Sequence, residues 1–189
     1  VKEDVMAVKT VQAGINGQTH TLTYNATTKK YEATVTAPST SSYNQNGHYY
    51  NVQIKATDEA GNSVSKDATD TTLGSSLKLR VKEKVAPVIS ITAPSSSAKL
   101  TNNKPVIKWT VTDSDSGVDP STIKLIIDSQ TITTGITKTA SGKNYTCSYT
   151  PTTALSDGSH TIKISASDYD GNAAAQKSIT FTVDTVPPE

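Results

Sequence analysis

The chain has 189 residues and a net charge of +1, room for one large domain or two modest ones with no basic bias towards nucleic acid. No apolar run approaches the roughly 20 residues that span a bilayer, so membrane insertion is not expected. Eight Tyr stand against one Trp and one Phe, so a core must be built mainly from Val, Ile, Leu and Ala.

In chain order, the first strong signal is Asn16-Gly17 between two alternating runs. Both residues accept the positive φ of a type I′ turn, which predicts a β-hairpin. From Val52 the chain alternates through Ile54 and Ala56 into ATDEAGN (56–62). LKLRV (77–81) alternates again. Lys78, Arg80, Lys82 and Lys84 fall on its solvent side, where they deter edge-to-edge association rather than form a polyanion site. VAP (85–87) stops that strand and predicts a short, stiff link.

VIKWTVT (106–112) sets Ile107, Trp109 and Val111 on one face and turns Lys108 outward. DSDSGVD (113–119) follows. Short helical turns are expected at Pro120-Ser121-Thr122 and at Thr152–Ser156. In KNYTCSYT (143–150) the single cysteine, Cys147, shares its face with Tyr145 and Tyr149, which predicts a buried, inert thiol. HTIKISAS (160–167) alternates into ASDYDGN (166–172), then ITFTV (179–183) and VPP (186–188) close the chain.

The sequence repeats itself. Val52, Ile54, Ala56, Asp58, Gly61 and Asn62 align with Ile162, Ile164, Ala166, Asp168, Gly171 and Asn172 at a constant offset. Pro38…Gly47 matches Pro151…Gly158, with Tyr43 in the place of Leu155 as a core plug. The period is domain-sized and every run has period two, so the expected fold is all-β: two tandem antiparallel β-sandwiches joined by a short linker.

YTPTTALSDGSHTIKISASDYDGN with SITFTVDTVPP resembles the second half of a bacterial immunoglobulin-like module. APVISITAP and DSDSGVDPSTIKLIID resemble its first half. The resemblance implies that 85–189 is a complete immunoglobulin-like sandwich. It implies that 1–84 is a second one, lacking its first strand or two. Such modules occur in tandem in bacterial cell-surface proteins and in phage tail proteins, which implies a location outside the cell or on a virion tail. The closing Val-Pro-Pro resembles the opening of a further module, as expected of a piece of a longer protein.

The acidic turn has two readings. As a corner, Asp168 accepts hydrogen bonds from turn amides while Gly171 and Asn172 take left-handed conformations. As a metal loop it would need Asp170, yet the first copy has Ala60 there. What the copies share is what a turn needs. The resemblance brings the 113–119 loop and the 168–172 turn to one end of the sandwich. Asp113, Asp115, Asp119, Asp168 and Asp170 are therefore a candidate calcium set, with Lys82 and Lys84 as alternative neutralising groups.

His20, His48 and His160 lie in separate segments without metal-ligand spacing. His48 and His160 are read as equivalent residues at a strand start. No phosphate loop and no Gly-x-Ser-x-Gly elbow occurs, so no enzyme is expected and no cofactor besides calcium. Tyr169 is the binding candidate, with Tyr49 or Tyr50 beside it in the reading. The expected function is a structural spacer or display module whose partners are neighbouring modules of the same longer chain. The alternative is an adhesion module that grips host cell-surface polysaccharide through its tip loops.

Overall fold

The computed structural model describes residues 7–188. The chain divides into two compact units, Val1–Lys82 and Glu83–Glu189. Among the described residues every regular element is a strand, apart from three short 3-10 turns at Ser42–Asn44, Asn46–His48 and Gly74–Leu77.

In the first unit the strands are β1 (Val8–Ile15), β2 (Gln18–Asn25), β3 (Lys30–Glu32), β4 (Tyr50–Asp58), β5 (Ser63–Lys66) and β6 (Lys78–Leu79). They form one antiparallel path, β3-β2-β1-β4-β5, with β6 also paired to β4. The hairpin between β1 and β2 turns on Asn16 and Gly17 at φ 48° and 75°, the conformations that a type I′ turn needs.

The second unit has β7 (Val88–Ala93), β8 (Lys99–Leu100), β9 (Ile107–Thr112), β10 (Val118–Ile127), β11 (Gln130–Ile132), β12 (Thr137–Ser141), β13 (Asn144–Tyr149), β14 (Gly158–Asp168) and β15 (Lys177–Val183). A five-stranded sheet, β11-β10-β14-β15-β8, and a four-stranded one, β12-β13-β9-β7, make an immunoglobulin-like sandwich. Every pairing in it is antiparallel except the short β8–β15 ladder. Alternation fills the space between the sheets. Ile107, Trp109, Val111 and Cys147 from one sheet meet Leu125, Ile162, Ile164, Phe181 and Val183 from the other. Lys108 is exposed, as its place in the alternation requires. Burial lifts the Cys147 thiol to about 11, so it stays protonated at neutral pH.

The ladders align the two units strand by strand. Ala13 faces Ile54 on β4 as Leu125 faces Ile164 on β14, and Val8 faces Asp58 as Val118 faces Asp168. Tyr50 pairs with Leu79 as His160 pairs with Phe181. Tyr50, not His48, is thus the counterpart of His160. His48 instead sits exposed at φ 60°, its ring stacked on half-buried Tyr43 at 4.0 Å. β5 and β6 together stand for β15, split by a loop in which Asp70 holds the Lys66 ammonium and the amides of Thr72 and Leu73.

Neither expected helical turn forms. Pro120-Ser121-Thr122 is an irregular stretch inside β10, because Pro120 has no amide to give the ladder and Asp119 captures the Ser121 amide and hydroxyl. Residues 152–156 are irregular, with bends at Thr152 and Thr153, and Leu155 packs against the core. His160, buried in β14, holds Asp128 Oδ2 at 2.9 Å and Ser156 O at 2.8 Å from its two ring nitrogens. Both partners accept, so the doubly protonated ring satisfies them best.

Ile164 is fully enclosed. Ile164→Ala should cost about 2–5 kcal/mol in urea unfolding followed by the fluorescence of Trp109, the chain's only tryptophan. A cost below ~1 kcal/mol would contradict the described core. A second outcome concerns pH. Burial pulls the His160 pKa down, but the Ser156 carbonyl and the Asp128 carboxylate outweigh it and leave it above the ordinary value. Its stabilisation is therefore full below the unfolded value of about 6.5 and is lost as pH rises through the folded value. The same unfolding measured from pH 5 to 9 should show that decline, and His160→Gln should flatten it.

Candidate functional site

The repeated acidic turn can be compared bond for bond. In the first copy the Asp58 carboxylate accepts the Asn62 amide at 2.8 Å and its side-chain Nδ2 at 3.0 Å. In the second, Asp168 accepts the Asn172 amide and Nδ2, both at 2.8 Å. In both, the Asp amide donates to the Asn carbonyl, and the Gly amide donates back to the Asp carbonyl. Gly61 and Gly171 take φ 91° and 92°, where a Cβ is strained. Asn62 and Asn172 are not left-handed, contrary to expectation. Their task is the two-point grip on the aspartate. The Asn62 bond also holds the Asp58 pKa below its ordinary value.

Around the second copy stands a larger acidic group. Asp113 leaves the end of β9, Asp168 ends β14, and Glu83 lies on the segment before β7. One carboxylate oxygen from each lies within 4.8 Å of the others. Glu83 is strapped at three points. Its amide donates to Asp170 Oδ2 at 3.0 Å, its carbonyl accepts Asn172 Nδ2 at 3.2 Å, and its carboxylate accepts the Ser116 amide at 2.7 Å. Asp113, 7% exposed, folds its own loop by accepting the amides of Asp115 and Gly117 on Oδ1. Its Oδ2 is buried with no hydrogen-bond partner, and so is the hydroxyl of Ser116, which is 4% exposed.

Of the five predicted carboxylates, the structure brings Asp113 and Asp168 together and adds Glu83. Asp170 instead receives the Glu83 amide. Asp119 faces Ser167 in the β10–β14 ladder and spends its carboxylate on Ser121. Asp115 offers its main-chain carbonyl to the Lys143 ammonium. Glu83 was missed because its neighbours Lys82 and Lys84 made the segment read as a solvated basic strand. The alternation itself carried the signal, since it turns Glu83 to the opposite side from those exposed lysines.

Buried carboxylates need pairing, a proton or a metal. Oxygens on opposite sides of a calcium ion, each about 2.4 Å from it, stand about 4.8 Å apart, so three oxygens within that span fit one hard cation. Glu83, Asp113 and Asp168 are the residues able to hold it.

The tyrosines divide. Tyr50 is buried with its hydroxyl on Thr40, while Tyr49 stays half-exposed with the Lys78 ammonium 5.0 Å above its ring. Beside Tyr49 opens a cleft of about 590 Å³ lined by Asn16, Gln18, Gln45, Asn46 and Gln53. Tyr169 is exposed on the second unit's acidic turn, its amide bonded to the Gly117 carbonyl.

Residues 83–185 match the profile of a bacterial Ig-like domain. No curated protein sequence matches the chain. Among solved structures it is similar to the fibronectin(III)-like modules of CbhA from Clostridium thermocellum, at 21% identity over 97% of this chain and 82% of that one, TM-score 0.37. It is similar to dimeric latent PorU from Porphyromonas gingivalis at 16% identity, over 96% of this chain and 20% of that one, TM-score 0.45. The titin tandem A164-A165 is 11% identical over 94% and 82%, TM-score 0.34.

If the acidic group holds calcium, millimolar calcium should stabilise the second unit against excess chelator, by about 2.7 kcal/mol at one hundred times Kd. Glu83→Gln and Asp113→Asn should each abolish the gain while Asp119→Asn keeps it. A melt indifferent to calcium in the unaltered protein removes the site.

Proposed function

Because this chain belongs to the bacterial Ig-like domain family, whose profile covers more than half of it, we propose that it is a structural spacer or display module. On this reading it is part of a longer extracellular protein, of a bacterial surface or a phage tail. Domains of this family are commonly extracellular parts of larger proteins and typically non-catalytic. Among the described residues no helix is long and apolar enough to cross a membrane. The observation that carries the reading is the corner built twice with the same bonds, once as ATDEAGN and once as ASDYDGN. Sequence kept for closing the strand and free to vary elsewhere is what a load-carrying module needs of its turns.

The mechanism is mechanical. A sandwich that buries alternating side chains resists extension through its ladders, and its partners are the neighbouring modules of the same chain. In the second unit the Glu83 strap fastens the incoming segment to the acidic turn. A cation held by Glu83, Asp113 and Asp168 would tighten that fastening at the point where pulling force enters.

A second reading, adhesion to host cell-surface polysaccharide, draws support from the carboxamide-lined cleft beside Tyr49 and from exposed Tyr169. Amide side chains and an aromatic ring are the groups that bind neutral sugars. The two readings separate in a sedimentation assay on purified bacterial cell-wall polysaccharide. The spacer reading expects no saturable retention up to about 1 mM, where a site of roughly −4 kcal/mol is half filled. Saturable retention lost in Tyr49→Ala or Tyr169→Ala would replace it with the adhesion reading.

A further inference from the structure

Two loops of the first unit border the cleft beside Tyr49. The tip of the β1–β2 hairpin supplies Asn16 and Gly17, and the segment before β4 supplies Gln45 and Asn46. The chain's two Asn-Gly steps, Asn16-Gly17 and Asn46-Gly47, therefore stand at one cavity. Asparagine is among the less durable side chains, and a following Gly has no Cβ to shield its nitrogen from the carboxamide. Elsewhere asparagine side chains are tied. Asn25 accepts the amides of Thr27 and Thr28, Asn62 and Asn172 grip their aspartates, and Asn144 accepts the Asp113 amide. Among the described residues neither the Asn46 carboxamide nor the Gly47 amide makes a hydrogen bond.

The two steps are clasped differently. The ladder pair Ile15–Gln18 closes directly on Asn16-Gly17. Asn46-Gly47 lies outside any ladder, bridged by the His48 amide to the Gln45 carbonyl at 2.9 Å. Gly47 and His48 both carry positive φ, 71° and 60°, an unfavourable state for a residue with a side chain that rearrangement of the loop relieves. Gly47 cannot give way to a shielding residue, because a Cβ there would stand 2.8 Å from Tyr49 Cε1. Packing thus keeps the labile step in place.

We propose that Asn46 is a site of spontaneous modification, at which the Gly47 nitrogen closes on the Asn46 carboxamide and converts it to a carboxylate. The Gly47 N–H gives its proton to hydroxide, and the nitrogen bonds to Asn46 Cγ. The Cγ–Nδ2 bond breaks and ammonia leaves with a proton from water, closing a five-membered imide. Water then opens the ring. Cleavage between Cγ and the Gly47 nitrogen leaves an ordinary aspartate. Cleavage at the Asn46 main-chain carbonyl leaves an isoaspartate, whose backbone is one carbon longer. Overall one water enters and one ammonia leaves. No charged side chain is among the described residues that line the cleft, so the product puts a negative charge into a neutral cavity. This assignment goes beyond the spacer reading and does not depend on it.

The test ages the whole protein at pH 6, 7 and 8, then separates its peptides by chromatography and weighs them by mass spectrometry. Aspartate and isoaspartate should accumulate at Asn46 ahead of Asn16, with Asn62 and Asn172 unchanged. The rate should rise by roughly tenfold per pH unit, as the deprotonated fraction of a very weak acid does. His48 and Tyr49, the latter beneath the Lys78 ammonium, are the ionisable side chains facing the step. His48→Gln should keep the pH dependence, because hydroxide sets it. Asn46→Gln, at an exposed position, should lose the conversion, and Asn46→Asp should elute from an anion exchanger with the aged protein. An Asn46 that persists as long as Asn62, conversion confined to Asn16, or a rate indifferent to pH overturns the inference.

Discussion

Trp109 lies fully enclosed between the two sheets of the second unit, against a wall that includes Ile162, Ile164 and Phe181, and that closure underlies the rest of the unit. Each such side chain contributes about 1.5–3 kcal/mol on burial. A handful of them equals the whole net stability of a domain, about 5–15 kcal/mol. Surface pairs are minor by comparison, for an exposed contact like Lys9–Glu59 is worth at most about 1 kcal/mol. The acidic corner, the Asp113 loop and the Glu83 strap all sit at the ends of strands β9 and β14, which the core holds in register. Their geometry follows from it.

In the first unit the described strands carrying the same alternation lie in one sheet. Val52, Ile54 and Ala56 repeat the pattern of Ile162, Ile164 and Ala166 and take the same ladder positions, yet they remain half-exposed. Burial is a property of facing surfaces, not of one strand's sequence. Local chemistry, by contrast, is complete in both units. The Asp–Asn grip needs only five residues, one of them a glycine with positive φ, so the same bonds form at both ladder ends.

This division accounts for what was legible in the sequence. Period-two alternation, the Asn16-Gly17 hairpin and the inward face of Trp109 were readable, because each is set by neighbouring residues. The acidic group was half readable. Asp113 and Asp168 were found as carboxylates beside turns. Glu83 was hidden, since its approach depends on contacts with Asp170 and Asn172 far along the chain. The 120–122 and 152–156 segments were misread for the converse reason. Their local composition favours a helical turn, but ladder pairing with β14 and the pull of Leu155 into the core override it. Position in sequence also misled over His48, which a two-residue slip set beside His160 in place of Tyr50.

We propose that the second unit is a self-standing module that carries load through its closed core. Single-molecule extension of the protein by its two ends tests this most directly. A load-bearing core should give a distinct force peak whose length gain corresponds to unfolding of residues 83–188, at roughly 3.3–3.6 Å per residue, and whose force drops in Trp109→Ala. Smooth extension through that length with no peak would contradict it.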